Sequence, residues 1–469
     1  MTAIVTSNFR VVNAENFKED VKDAGTSVYV GIGKPDVWSN TLSDTTDTTP
    51  TVPVDALDTL GEAHQNLIGL KLIGVNDISH IVPRHTWTAA VQYVAWDSDD
   101  AAIYDKKFYV VTSEFKVYKC IVAGTSGSTI QPTQTLTDPT AESDGFTWKY
   151  MYTVSVADAE KFLTTSYLPV KTVSNIDADT GVLYLNDAAA ADDLSEADYA
   201  QYLNQKASKE LGTAAGIERV EVTAGGTYSA TPDVIISGDG TGATATATMS
   251  GTGSNQTVAS IAITAKGTNY TVADITFSSG DAAARAVLAP HTGHGVQPVK
   301  ELGAFFVALN TQIGGTDNVD LTVGNDFRQV TLIRNPQNGA SPFAVATAPT
   351  LKSLRGLNFT SGVVVANFAV DEVITGGTTG AKAYVVEIDS SNGYIYYHQN
   401  AKTGYKAFNN AETITGGTSS ATGALEGDAS SHIASESLSG SGDIIFMENR
   451  NPINRTATQI EDIKVIIEF

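Results

Sequence analysis

Two pairs of internal repeats constrain this chain more than any other feature. Val222-Thr223-Ala224-Gly225-Gly226-Thr227-Tyr228 returns as Ile263-Thr264-Ala265-Lys266-Gly267-Thr268-Asn269-Tyr270, a shift of 41 positions with a one-residue slip at the tyrosine. Each copy runs into a second strand pattern, at 233–237 and 274–278. The second pair is unrelated to the first. Phe368-Ala369-Val370-Asp371-Glu372-Val373-Ile374-Thr375-Gly376-Gly377-Thr378 returns 40 positions later as Phe408-Asn409-Asn410-Ala411-Glu412-Thr413-Ile414-Thr415-Gly416-Gly417-Thr418. Periods near 40 belong to propellers and solenoids, but two copies are too few for either. Each pair therefore reads as one small pseudo-symmetric β module, with the Gly-Thr corner turning the chain and the tyrosine of the first pair packing over that turn. Residues 383–388 and 393–398 read as a hairpin between the copies of the second pair.

Both modules read as insertions into a chain of different texture. The expected fold is mainly β: a multi-domain, β-sandwich-like framework with two inserted β-repeat modules and few short helices. The framework would comprise 1–215, 296–355 and 435–469, with modules at 216–295 and 356–434. Strand patterns lie at 4–5, 28–32, 107–112, 116–121, 146–154 and 182–185, and helical patterns at 13–24 and 194–207. Residues 39–54 are rich in Thr, Asp and Pro and read as an exposed loop. The end of the chain, 463–469, places Ile463, Val465, Ile467 and Phe469 on one strand face. Such a tail needs a sheet to pair with, and the reading pairs it with an opening strand near 4–9. On that reading, deletion of 366–424 leaves a folded protein.

Composition narrows the functional classes. The chain has 52 acidic residues against 29 Lys and Arg, a formal charge of −23, which argues against nucleic acid and anionic membrane surfaces as partners. Only 17% of residues are charged, so Gly, Thr, Ser and Ala must cover much of the surface, as in proteins of short strands and turns. The single cysteine, Cys120, excludes an internal disulfide and reads as a buried thiol within a strand. The N-terminus lacks the pattern of a signal peptide and no apolar run approaches a bilayer span, so the expectation is a soluble protein made in the cytoplasm.

Motifs that could carry chemistry fail on spacing. Gly376-Gly377-Thr378-Thr379-Gly380-Ala381-Lys382-Ala383 resembles a phosphate loop, yet Lys382 does not follow a glycine and no Ser or Thr comes after it. His291 and His294 are split by glycines and read as a polar linker, with no third metal ligand. Residues 175–181 imitate a calcium loop, but position 12 falls on Asn186, so a β-turn is expected. Asp97-Ser98-Asp99-Asp100 reads as a solvated loop, and no nucleophile arrangement is present. The expectation is no enzymatic activity, no cofactor and no metal. Tyr394 and Tyr396 share a strand face and could form a sugar platform, although cross-strand packing is the simpler reading.

A series of short segments along the framework carries a resemblance. It begins with Ala3 to Arg10, including Phe9 and Arg10, and continues with Trp38-Ser39. It then runs through Ile81-Val82-Pro83-Arg84-His85-Thr86-Trp87, Val117 to Cys120, and Asp144 to Tyr150, which includes Trp148. Phe327-Arg328-Gln329-Val330 and Ile333 to Pro336 follow, and the series closes with Met447-Glu448-Asn449-Arg450-Asn451-Pro452-Ile453. In this order the segments resemble the small dimeric baseplate wedge subunit of T-even-type contractile-tailed phages. They cover about three fifths of the chain and skip both modules. The resemblance implies a structural part of the virion tail baseplate, assembled in the host cytoplasm and present as a homodimer in each wedge. Its partners would be the long peripheral wedge protein, the inner wedge-ring subunits and the pin-like rim proteins. It would help the baseplate rearrange when the phage attaches to its host. Phe9, Arg10, Trp38, Pro83, Arg84, Trp87, Trp148, Phe327, Arg328, Glu448, Asn449, Arg450 and Pro452 would be its assembly residues. Trp38, Trp87 and Trp96 are candidate anchors for partners, although burial in the core is the commoner fate of such large aromatics. The competing reading is a tail adhesin or carbohydrate-binding module that uses the Tyr394/Tyr396 pair.

Overall fold

A computed structural model describes residues 3–23, 25–39, 41–173, 196–211 and 216–469. The strand pattern expected at 182–185 and the turn at 175–181 lie outside the described residues. The chain is mainly β, with 39% of residues in strands against 14% helical, and the strands form several antiparallel sheets. Two compact units are present. One comprises Met1–Glu19, Ser79–Ala308 and Ile466–Phe469, and the other Asp20–Ile78 and Leu309–Val465.

In the first unit, the strands Tyr109–Val111, Lys116–Val122, Thr147–Thr153 and Thr140–Ala141 form one sheet in that order. One face of this sheet packs into a core with Phe108, Tyr109, Val117, Met151, Tyr152 and Leu168. The other face buries Tyr118, Cys120, Phe146 and Trp148. Cys120 is fully enclosed, and burial pushes its thiol up to about 12.

The first repeat pair builds a six-stranded sheet in the order Val234–Gly238, Ala273–Phe277, Ala283–Leu288, Ile217–Ala224, Thr257–Thr268, Thr241–Ser250. The two copies brace each other rather than themselves. The Tyr228 ring of the first copy packs on Gly280 in the turn of the second, and the Tyr270 ring of the second packs on Gly240 in the turn of the first. A Cβ at either glycine would overlap the ring. Asp281 accepts from the Thr227 backbone N–H at 2.7 Å, and Asp239 accepts from the Thr271 N–H at 2.9 Å, again across the copies.

In the second unit, a five-stranded sheet has the order Thr350–Lys352, Leu67–Leu72, Val28–Gly33, Asp326–Arg334, Asp443–Asn454. Tyr29, Leu67, Leu70, Ile333 and Leu351 are buried together. The second repeat pair lies within a seven-stranded sheet in the order Thr422–Ala424, Thr413–Gly416, Val373–Gly376, Lys382–Asp389, Tyr394–His398, Arg355–Asn358, His432–Ile433. Its central pairing is symmetric about Thr375 and Thr415, with Ile374 opposite Gly416 and Gly376 opposite Ile414. The hairpin read between the copies is formed by Lys382–Asp389 and Tyr394–His398. Arg355–Asn358 pairs on one side with Tyr394–His398 and on the other with His432–Ile433, so removal of 366–424 would strip one of its two partners.

The glycine loops of this module exchange carboxylates. Glu372 of the first copy accepts from the Thr418 and Ser419 N–H groups at 3.0 and 2.9 Å. Glu412 of the second accepts from the Thr378 and Thr379 N–H groups at 3.2 and 3.1 Å. A Cβ at Gly376 would sit 2.6 Å from the Glu412 carboxylate, and one at Gly416 equally close to Glu372. The loop that imitates a phosphate site does hold an anion, and the chain itself supplies it. Burial raises both carboxyl groups, but these donors outweigh it and leave them below the usual glutamate value.

The ends of the chain differ from expectation in one respect. The tail is a strand, Glu461–Glu468, with Ile463 and Val465 buried, and it lies beside Phe306–Ile313. The opening segment is not a strand. Residues Ser7–Lys22 form a helix, started by the Thr6 hydroxyl and carbonyl, which both accept from the Phe9 N–H. Val11, Ala14 and Val21 are buried along this helix, while Ile4 and Val5 are exposed. The two ends still meet, because Arg10 donates to the Phe469 carbonyl and to Glu468.

Candidate functional site

The residues that carry the resemblance gather most densely in the second unit. Strands Asp326–Arg334 and Asp443–Asn454 pair through Gln329 with Asn449 and Val330 with Glu448. The register then shifts, so that Phe327 faces Ile453 and residues 450–452 bulge outward. Pro452, which has no N–H to give the ladder, sits in this bulge. The bulge frees the Arg450 carbonyl, and the Trp38 indole N–H donates to it at 2.8 Å. The Trp38 backbone N–H donates to Asp47 at 3.1 Å. Arg328, with only 5% of its side chain exposed, clamps the same Asp47 through Nε at 2.9 Å and Nη2 at 2.8 Å, and also donates to the Pro35 carbonyl. Burial raises the Asp47 carboxyl, but the Arg328 contacts prevail and hold it below the ordinary aspartate value. Asn449 donates to the Thr51 carbonyl at 2.9 Å. The 39–54 loop, read as an exposed segment, is thus tied down at Asp47 and Thr51.

A buried polar centre adjoins this joint. Asp36 receives Lys34 at 2.7 Å, Asn400 at 2.9 Å, and Lys402. His398 lies 3.3 Å from the same carboxylate, with its other ring nitrogen 3.2 Å from the Gln65 carbonyl. Lys34 holds a left-handed backbone, φ 60°, which turns the chain out of its strand to reach Asp36.

The other signature residues occupy three separate places in the first unit. Phe9 is exposed on the opening helix, and the Arg10 guanidinium lies 3.6 Å from the centre of the Phe305 ring. Pro83 ends the strand Ile78–Pro83 and its carbonyl accepts from the Tyr109 hydroxyl, while Arg84 donates to the Thr164 carbonyl at 2.8 Å. Trp87 is half-buried against the cluster in which Trp148 stacks on Phe146. Trp38 and Trp96 are half-buried as well.

One constellation escaped the sequence reading. Lys119 and Lys149, both buried, are direct partners across adjacent strands. Glu301 neutralises Lys119, and its carboxylate also accepts from the Gly295 N–H at 2.8 Å and the Gln297 N–H at 3.1 Å. Burial raises the Glu301 carboxyl, but the Lys119 charge and these donors outweigh it and hold the group below the usual glutamate value. Burial, reinforced by the Lys119 charge, pushes Lys149 down to about 8 and His294 down to about 4. Residue 294, read as part of a polar linker, instead seals its ring between Glu218 at 3.4 Å and the edge of Trp96. The available signal was a lysine inside each of two apolar strands, Val117-Tyr118-Lys119-Cys120 and Trp148-Lys149-Tyr150.

Among the described residues, no group of three or more His, Cys, Asp or Glu is placed to hold a metal ion, and no helix is long and apolar enough to cross a membrane. Tyr394 and Tyr396 share a face, but their rings stand at 88° and Lys352 covers Tyr396 at 4.0 Å, so they do not form a flat platform. A scan against protein-family models finds no match. No curated protein is significantly similar in sequence.

Proposed function

We propose that this chain is a structural subunit of the baseplate wedge of a contractile phage tail. In this reading it acts without catalysis, as a homodimer within each wedge, linking the long peripheral wedge protein, the inner wedge ring and the rim proteins. It resides in the virion and is assembled in the host cytoplasm. The observation that carries the reading is the joint formed by Trp38, Asp47, Arg328, Asn449 and Arg450, which locks three distant segments together around a buried guanidinium. Rigid ties of this kind suit a part that transmits force between neighbours.

The surface supports the same reading. Leu57 is 90% exposed, and Val52 and Val54 are exposed beside it. Ile4 is 83% exposed on the opening segment. The strand Asp443–Asn454 ends its sheet and, among the described residues, has no second strand beside it. Apolar groups in such clusters are typical of surfaces that a partner covers. Cryo-electron microscopy of purified virions is expected to locate the chain in sixfold-related pairs near the tail tip. Val54→Glu with Leu57→Glu is expected to abolish incorporation without changing the melting temperature of the free chain. A chain found only in the capsid would overturn the reading. So would normal incorporation of a variant in which the Val54/Leu57 and Ile4/Phe9 patches are both charged.

A further inference from the structure

The six-stranded sheet of the first module ends on the strand Thr241–Ser250. Among the described residues its only ladder partner is Thr257–Thr268, so one row of its backbone N–H and C=O groups has no strand beside it. The strand is ten residues long and contains no charge and no proline. The other edge strands of comparable length differ. Asp443–Asn454 carries Asp443, Glu448, Arg450 and Pro452, and Glu461–Glu468 carries four charged side chains. The remaining edges have five residues or fewer. Charge, proline and shortness restrict which strands can add to an edge, and Thr241–Ser250 uses none of them. Nor is it bulged: both register shifts against its neighbour fall on the neighbour, at Thr264 and Ala259.

The order of side chains makes this strand complementary to itself. Thr244, Thr246, Thr248 and Ser250 are exposed on one face, and Ala243, Ala245, Ala247 and Met249 are half-buried on the other. Laid antiparallel beside a second copy, with a two-fold axis at Ala247, it sets Thr246 opposite the partner's Thr248 and Thr244 opposite the partner's Ser250. Hydroxyl then faces hydroxyl, a favourable cross-strand pairing. The strand already uses this chemistry on its paired side, where the Thr244 and Thr264 hydroxyls lie 2.7 Å apart. The apolar face also has room for cover. The core of the first module has seven buried members and fourteen partly buried ones, against thirteen and three in the second module. Charge points to the same occupant. Two copies with a formal charge of −23 repel each other, and a seam with no charged side chain adds nothing to that repulsion.

We propose that Thr241–Ser250 pairs antiparallel with the same strand of a second copy, joining two first modules into one continuous sheet. The inference rests on the homodimer of the proposed function and gives that pair its seam. One strand pair is a small interface beside the roughly 800 Å² per partner of stable complexes, so a dissociation constant in the micromolar range is expected. Sedimentation velocity of the full chain from about 1 to about 100 µM is expected to show monomer passing into dimer. Amide exchange within 241–250 is expected to slow over the same range of concentration. Thr246→Lys with Thr248→Lys places like charges across the seam and is expected to weaken the dimer about tenfold or more, with an unchanged far-ultraviolet spectrum. Thr223→Lys, exposed on an inner strand of the same sheet, is expected to leave the dimer intact. A chain that stays monomeric throughout would overturn the proposal, as would a dimer weakened equally by Thr223→Lys. A dimer untouched by the paired lysines, with no concentration-dependent protection at 241–250, would also overturn it. That last result leaves the wedge reading its homodimer, which the map of the virion tests separately.

Discussion

The two repeat modules solve one problem with different chemistry. Each contains two copies of a strand-turn-strand unit, and in each the copies reach across to brace the other's turn. The first module adds rings to its two bridging aspartates: Tyr228 on Gly280 and Tyr270 on Gly240. The second braces with charge: Glu372 in the 418–419 loop and Glu412 in the 378–379 loop. Their cores follow suit. The second module buries Leu357, Phe359, Phe368, Ile374, Phe408 and Ile414. The first fills much of its interior with partly buried alanines, among them Ala243, Ala245, Ala247, Ala284 and Ala286. Around these alanines it buries Ile217, Val220, Val258, Ile261 and Ile275 together with its two tyrosines. The lesson is that a repeat in sequence predicts mutual bracing, while the bracing residue decides which perturbation breaks it.

Removing a ring should therefore do most damage in the first module. Tyr270→Ala leaves a cavity over Gly240 and is expected to cost about 3–5 kcal/mol in denaturant unfolding, the range for burying and then deleting a large aromatic. A loss below about 1 kcal/mol would show that the ring is not the brace. Glu412→Ala in the second module leaves the Thr378 and Thr379 N–H groups without their acceptor, and is expected to cost about 2–3 kcal/mol. Glu372→Ala should match it closely, since the geometry is reciprocal. A large difference between the two would break the symmetry argument.

Acidity should separate the two regions more gently. His294, beside the first module, stays neutral when folded because burial and Lys119 hold it down at about 4. The unfolded chain takes up that proton near 6.5, so folding stability falls as pH drops from 6.5 toward 4. About 1 kcal/mol should be lost between pH 6.5 and 5.5 in the first unit, an effect that His294→Gln removes. Glu372 and Glu412 are depressed carboxylates, so their contribution is complete above about 4.5 and fades only below it. Hydrogen exchange across this range, corrected for intrinsic rates, should show the first unit loosening at higher pH than the second module. The reverse order would refute the assignment.

How much of this was legible in the sequence follows from distance along the chain. The repeats, the Lys116–Val122 strand and the Lys382–Asp389 hairpin partner were readable because each is written in a few adjacent residues. The reciprocal bracing was not, because spacing shows that Glu412 recurs but not which loop its carboxylate enters. Trp38 and Arg450 were both singled out, yet their hydrogen bond joins positions 412 residues apart, and only the bulge at 450–452 turns that carbonyl outward. The opening segment was misread for a local reason. Ile4-Val5 has strand composition, but the Thr6 cap starts a helix immediately after it. Lys119, Lys149 and Glu301 show the remaining limit: the carboxylate that makes two buried lysines tolerable arrives from a distant four-residue helix.

The exchanged carboxylates also bear on how the second module is made. The 376–380 loop leaves the ribosome ahead of Glu412, so the first copy emerges with its loop amides open to water. Only when the second copy emerges can either turn close, and then both close together. A nascent chain halted between the copies would hold a glycine loop and a glutamate without mates, and two such chains on neighbouring ribosomes could complete each other. The spacing of 40 residues keeps that interval short, which favours closure within one molecule over exchange between two.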